Sequence, residues 1–324
     1  MPGLGVTGTS LAGHVSRFRD LPRLSVNAAA SREGSLSLSD PMEGDEFERH
    51  RSLLMGLAYR MLGSSAEAED AVQDTWLRWR SADAAAIVDA RAWLSTTVVR
   101  LCIDRLKSAR ARRETYPGTW LPEPVVTTAP LDVESIQLGF LVLLERLNPT
   151  ERAVFLLHQV FDHSHAEIGA ILDISEAASR QVLHRAKKHV AAARPRFATS
   201  REAHERLLSA FLAAVSRGDV DAIASVLAED VVLYGDNAGK VGAVARPPVV
   251  GRRGVARFLA SRSAQWPSSP ALDIEITDVN GWPAIIGRAG GAVTFVMSIE
   301  TDDGKVATIR TVLSPHKLLL RHVS

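Results

Sequence analysis

Cysteine is nearly absent from this chain: Cys102 is the one thiol in 324 residues. An internal disulfide is therefore excluded. No Cys/His cluster has zinc-ligand spacing either, so metal-stapled folds drop out too. A lone thiol fits a reducing compartment. Long apolar runs are also missing. None approaches the roughly 18 residues that cross a bilayer, and the N-terminus lacks a basic stretch followed by a clean apolar one, which argues against a secretion signal. A cytoplasmic protein without membrane contact is expected. The chain also lacks an excess of either charge. With 38 Lys+Arg against 37 Asp+Glu, its net charge is +1. Bulk electrostatics give no hint of nucleic acid, so any such surface must show in local patterning.

The chain is long enough for two or three domains, and its patterning changes along its length. Residues 1–41 are rich in Gly, Ser and Ala without periodicity and read as disordered. Met42 stands directly before the first convincing helix. Four helical blocks are expected between about 45 and 110. The Pro/Gly/Thr stretch from Tyr116 to Pro130 reads as an extended linker, and a second helical block fills about 132–194. From about 201 two helices (201–217 and 219–228) lead into β-branched runs: Val231–Tyr234, Asp273–Ile276, Ala292–Ile299 and Val306–Leu313. A further helix is expected over Val255–Gln265. Helices followed by strands on short turns suggest a separate α+β domain.

Three helices carry chemical information. At 100° per residue, Glu67, Asp70 and Asp74 share one face of the helix Ala66–Trp79, opposite Ala68, Val72, Trp76 and Trp79. This face is either a solvated covering of a core stripe or a docking surface for a basic partner. On Asp89–Arg110, Leu94, Val98, Val99, Leu101, Cys102 and Leu106 form an apolar face. Trp93, Thr96, Thr97, Arg100, Asp104 and Lys107 form a polar stripe. That stripe is an ordinary polar face, or one able to stack on an unpaired base and hold the backbone beside it. Ser164–Val190 has helix-turn-helix spacing, with Ser175 as N-cap of the second helix. There Ala178, Val182, Leu183, Ala186 and Val190 oppose Arg180, Gln181, His184, Lys187 and Lys188. A recognition helix needs one apolar side and one side that reaches base edges and phosphates.

Together these segments resemble the sigma-70 superfamily, in its extracytoplasmic-function (ECF) group. Ala66-Glu67-Ala68-Glu69-Asp70-Ala71-Val72-Gln73-Asp74-Thr75-Trp76 is similar to sigma region two. The resemblance implies that Glu67, Asp70, Gln73, Asp74 and Trp76 bind core RNA polymerase. It implies that Trp93, Thr96, Thr97, Arg100, Asp104 and Lys107 read the −10 element of promoter DNA, with the loop Arg80–Asp89 capturing a flipped base. Leu147-Asn148-Pro149-Thr150-Glu151-Arg152-Ala153-Val154-Phe155-Leu156 and the helix-turn-helix resemble region four, which implies −35 contacts from Arg180, Gln181, His184, Arg185, Lys187 and Lys188. The linker Tyr116-Pro117-Gly118-Thr119-Trp120-Leu121-Pro122-Glu123-Pro124 is similar to that of ECF factors with a fused SnoaL-like (NTF2-like) domain. That subgroup implies a multidomain fold. Two all-α sigma domains occupy 42–110 and 132–195, joined by a linker over 111–131, and an α+β NTF2-like cone occupies 201–324. Interdomain contacts are expected from Trp120, Leu121, Pro122, Asp236 and Lys240. Where the subgroup has Asp-Gly-Gly-Gly-Lys, this chain has Asp236-Asn237-Ala238-Gly239-Lys240, and non-glycine residues restrict that turn. Its Asn-Pro-Asp-Lys-Leu pattern becomes Ser314-Pro315-His316-Lys317-Leu318.

SnoaL-like domains form a pocketed cone, and some relatives are enzymes, so a small ligand in the C-terminal pocket stays open. Catalysis would need a converging acid/base pair. No spacing ties Asp230, Asp236 and His316 together, so no catalytic residue, metal or cofactor is assigned. A helix-turn-helix regulator fused to a SnoaL-like enzyme or ligand-binding domain is the competing reading. It leaves the acidic helix, the Trp93 stripe and the linker unexplained.

Overall fold

The computed structural model describes residues 41–83, 86–114, 116, 118–127, 137–191, 200–238, 247–263, 272–319 and 322–323. The expected disorder of the first 40 residues falls outside them. Among the described residues the first unit has three α-helices, where four helical blocks were expected: α1 (Pro41–Leu62), α2 (Ser65–Arg80) and α3 (Ala90–Glu114). α1 runs through Gly56 without a break, and α3 continues past residue 110. Gly63 stops α1 by taking φ +67°, a conformation that a Cβ would strain. Ser64 then caps α2, its hydroxyl accepting the Glu67 N–H at 3.2 Å, which satisfies a first-turn donor that has no intrahelical partner.

The linker carries β1 (Val126–Thr127), and the second unit contains α4 (Leu138–Leu144), α5 (Pro149–Gln159), α6 (His165–Leu172) and α7 (Glu176–Ala191). Reciprocal side-chain caps start α5 (Asn148 with Glu151) and α6 (Ser164 with Glu167), a pairing that fixes where each helix begins. Asp173 ends α6 at φ +56°, and Ser175 Oγ accepts the Ala178 N–H at 3.1 Å to start α7. The two helical units share one apolar core: Leu57, Leu94 and Val98 of the first are continuous with Leu156, Ile168 and Leu183 of the second. Arg152 of α5 also reaches across, donating to the Met61 carbonyl at 2.7 Å and to Glu145 at 2.8 Å.

The third unit carries α8 (Arg201–Arg217), α9 (Val220–Val226) and α10 (Arg252–Ser263). Its strands are β2 (Leu227–Asp236), β3 (Val249–Val250), β4 (Leu272–Val279), β5 (Trp282–Ala289), β6 (Ala292–Asp302), β7 (Lys305–Val312) and β8 (His322–Val323). The helix expected over 219–228 stops at Val226, because Leu227 is fully buried and pairs with Val306 as the first residue of β2. Sequence patterning gave no sign of β5, where Pro283 and Gly287 interrupt the β-branched run. Pro283 is tolerated near the start of the strand, where a missing donor costs least. One sheet runs β3-β2-β7-β6-β5-β4-β1-β8, so β1 of the linker is a strand of the C-terminal domain. Three hairpins turn on residue pairs with positive φ: Asn280-Gly281, Gly290-Gly291 and Asp303-Gly304. This turn chemistry matches the right-handed twist of the flanking strands.

Residues alternate between the two faces of the sheet. Ile285, Ile299 and Ile309 pack beneath the helices with Leu208 and Phe211. Ile286, Val296 and Val312 face the other way and bury Leu121 of the linker.

The helix-turn-helix depends on a close approach at Gly169. A Cβ there would stand 2.7 Å from the Ile174 carbonyl oxygen, nearer than carbon and oxygen can pack. Gly169→Ala should therefore push the turn open and cost about 1–3 kcal/mol. The effect should appear as a lowered thermal midpoint, and a midpoint equal to wild type would contradict this packing.

Candidate polymerase and nucleic-acid interface

On α7 the buried residues are Ser179, Val182, Leu183 and Ala186. Arg180, Gln181, His184, Arg185, Lys187 and Lys188 are all exposed. Glu176 pairs with Arg180 one turn earlier on the same helix, and Glu151 lies 3.8 Å from Arg185. Acids thus engage Arg180 and Arg185, while Lys187 and Lys188 are exposed.

The acidic side of α2 is exposed at Asp70, Gln73 and partly at Asp74, while Glu67 is half-buried. A residue that sequence reasoning missed sits against it. Arg105 of α3 bonds Asp74 at 2.6 Å and approaches Asp70 at 3.8 Å. The only sequence signal for Arg105 was its charge on the neighbouring helix. Trp76 is half-buried, its ring 4.9 Å from that of Phe47.

The polar stripe of α3 is less uniform than its periodicity suggests. Trp93 is half-buried and meets Trp79 edge-on at 5.6 Å. The hydroxyls of Thr96 and Thr97 return to their own helix, to the carbonyls of Ala92 and Trp93. Arg100 donates to the Ile171 carbonyl at the end of α6, at 2.9 Å, and Asp104 pairs with Lys107 at 3.2 Å. Cys102 is fully buried, and desolvation pushes its thiol well above the ordinary range, so it is not a thiolate nucleophile. In the loop before α3, Val88 is 82% exposed.

The linker is fastened on both sides. Toward the C-terminal domain, the fully buried Asp236 carboxylate accepts from the Tyr116 hydroxyl at 2.5 Å, the Leu121 N–H at 2.8 Å and Lys317 Nζ at 2.7 Å. Lys317 also donates to the Leu121 carbonyl at 2.6 Å and lies 4.2 Å from the centre of the Trp120 ring. Burial, then the Asp236 bond and charge, push the Tyr116 hydroxyl upward, keeping it a donor. Toward the first helical unit, Trp120 and Pro122 lie over Gly63, whose added Cβ would be 3.1 Å from the indole. Asn280, in the β4–β5 turn, donates to the Tyr59 hydroxyl at 2.6 Å, and Tyr59 donates to the Glu123 carbonyl at 2.6 Å.

The loop beginning at Asp236 was expected near the first sigma domain. Asp236 itself meets the linker and Lys317, while Asn280 contacts Tyr59 of the first domain. Physically, the buried carboxylate is filled by Tyr116 and Leu121 of the linker, by Lys317 and by the Ala238 N–H. Lys240 lies outside the described residues. Ala238, where the subgroup has glycine, takes φ +52°, and its N–H bonds Asp236 at 3.2 Å.

The three acid/base candidates are not brought together. Asp230 and His316 are exposed, and Asp236 is committed to the linker and Lys317. A crevice between Leu138 of α4 and Trp282, Ser298 and Glu300 of the sheet encloses about 20 Å³, room for little more than one water. Among the described residues no group of three His, Cys, Asp or Glu could hold a metal ion, and no helix is long and apolar enough to cross a membrane.

Residues 47–112 match the family model Sigma-70 region 2, residues 138–190 match Sigma-70, region 4, and residues 208–313 match the SnoaL-like domain. The chain is 40% identical over 293 residues to the ECF RNA polymerase sigma factor SigJ of Mycobacterium tuberculosis, covering 85% of this chain and 93% of that protein. It is 31% identical over 291 residues to the probable ECF RNA polymerase sigma factor SigI of the same species, covering 87% and 97%. The crystal structure of SigJ aligns with a TM-score of 0.67 at 36% identity, over 85% of this chain and 97% of that one. The chain therefore belongs to the ECF group of sigma-70 factors, in the branch that carries a SnoaL-like domain after its two helical sigma domains.

Proposed function

We propose that this protein binds core RNA polymerase in the cytoplasm and directs promoter-specific initiation, with its C-terminal domain regulating that activity without catalysis. One observation carries the reading. A helix-turn-helix with six exposed polar or cationic residues on α7 shares a chain with an acidic helix α2 and the α3 stripe. A helix-turn-helix regulator alone needs only the first of these. The working division is region 2 over 42–110, linker over 111–131, region 4 over 132–195 and the SnoaL-like domain over 201–324. In vitro transcription with purified core polymerase tests the proposal. Failure to co-purify with core and to start at any promoter would overturn it.

Within this reading, Glu67, Asp70, Gln73, Asp74 and Trp76 face the polymerase. Neutralising Asp70 and Asp74 to Asn should weaken holoenzyme assembly. It should change folding stability by no more than about 1 kcal/mol, because the Arg105 pairs are partly exposed. Equal core affinity in the double variant, measured by anisotropy titration, would remove these residues from the interface.

For the −35 element, Arg180→Ala should relax base preference at one or two positions, at roughly 1–3 kcal/mol each. Lys188→Ala should weaken binding to all sequences alike and flatten the salt dependence. The two variants behaving identically on native and scrambled duplexes would refute that sorting.

Trp120 touches both the first helical unit and Lys317, so it is the natural coupling element. Trp120→Ala should shift promoter-dependent transcription in the same direction as removal of everything after residue 200. Wild-type transcription by the truncated protein at every promoter tested would end the regulatory assignment.

A further inference from the structure

The N-terminus of α2 is completed by a residue nearly 60 positions away. One carboxylate oxygen of Glu123 accepts the Ser65 N–H at 2.7 Å and the Ser65 hydroxyl at 2.9 Å. The other accepts the Ser64 hydroxyl at 2.8 Å. Ser64 spends its hydrogen on Glu123 and its lone pair on the Glu67 N–H, so one carboxylate serves two first-turn amides, one directly and one through a hydroxyl. A negative charge here also opposes the positive end of the helix dipole. Glu123 is held in place from three sides: its N–H donates to the Gly63 carbonyl at 2.8 Å, its carbonyl accepts from Tyr59 at 2.6 Å, and Val125 pairs with Asn280 in both directions. The last of these contacts belongs to the C-terminal domain.

We infer that Glu123 is a positioning residue for polymerase docking: the linker carboxylate caps the helix that presents Asp70 and Asp74, and the C-terminal domain holds that carboxylate in register. This rests on the reading of α2 as the polymerase-facing helix. It gives the C-terminal domain a direction of action, because a linker seated by that domain favours an α2 ordered from its first turn. A linker pulled away leaves the Ser65 amide to water and the first turn to fray. The local Ser64 cap alone does not replace it, since Ser64 relies on Glu123 to orient its hydroxyl.

The test uses the full chain. Glu123→Ala should speed amide hydrogen exchange at Ser65–Ala68 in the free protein and lower affinity for core polymerase about three- to tenfold, the scale of a lost partly buried charge at a helix end. Ala66 is exposed in the first turn, so Ala66→Asp supplies a local anion there. Combined with Glu123→Ala, it should restore both readouts toward wild type. A linker contact that only glues domains together would not be rescued by a charge placed on α2 itself. Unchanged exchange at α2 in Glu123→Ala would overturn the inference, as would a double variant as impaired as the single one. Exchange is measured without polymerase. A wild-type protein that failed to bind core would therefore overturn the proposed function and still leave the capping role decided.

Discussion

Asp236 is a carboxylate with no access to water, and a buried charge is tolerated only when its lone pairs are filled. Its donors come from the linker, through Tyr116 and the Leu121 amide, and from Lys317 near the chain end. The C-terminal domain thus cannot satisfy its own interior charge alone, because part of the solution is carried by a segment that precedes region 4. That requirement fixes the linker, which lies against the first helical unit, while the two helical units are joined by their own apolar core. Lys317 extends the arrangement by sitting against both the Trp120 and Tyr116 rings, where a desolvated cation gains from the ring quadrupoles.

The corner between α1 and α2 is where these constraints meet. Gly63 lets Trp120 and Pro122 approach, and Met61 offers its carbonyl to Arg152 of region 4. Ser64 and Ser65 engage Glu123, and Tyr59 joins the linker to Asn280 of the β4–β5 turn. Burial pushes the Tyr59 hydroxyl upward, which keeps it a donor toward Glu123 while it accepts from Asn280. Five residues of sequence at this corner therefore receive contacts from the linker, region 4 and, through Tyr59, the C-terminal domain.

The parts of this architecture written in local patterning were readable in the sequence. The apolar faces of α3 and α7 follow from 3.6-residue periodicity, and Ser175 announces α7 by residue type. The exposed face of α7 follows from the same periodicity. What periodicity could not show is pairing between distant segments. Arg105 against Asp70 and Asp74, Arg100 on the Ile171 carbonyl and Glu123 on α2 are contacts of 31, 71 and 58 residues' separation at their bonded pairs. None leaves a local trace. Strand β5 was hidden for a different reason. Its Pro and Gly suppress the β signal, and its place is set by the Asn280-Gly281 turn and by two neighbouring strands. The linker resemblance pointed to Trp120, Leu121 and Asp236, yet it gave no sign that Asn280 contacts Tyr59 of the first domain.

The two kinds of contact that unite the molecule differ in how readily they separate. Between the helical units the junction is a continuous apolar core, and parting it would expose surface at about 25 cal/mol per Å² with nothing to compensate. Between linker and C-terminal domain a small apolar patch around Leu121 is joined to a buried polar cluster: the Asp236 carboxylate, the Lys317 ammonium, the Tyr116 hydroxyl and the Leu121 amide. Water can replace each of those partners once the linker moves, so the net stabilisation of such a cluster is small compared with its gross interaction. Its geometry, by contrast, is demanding, to the point that Ala238 adopts a left-handed conformation beside it, at a cost on the order of 1 kcal/mol. A contact that is specific in geometry but modest in net energy suits a regulated joint. By this argument the linker and C-terminal domain are the parts that release first, and the first thing their release removes is the Glu123 cap on α2.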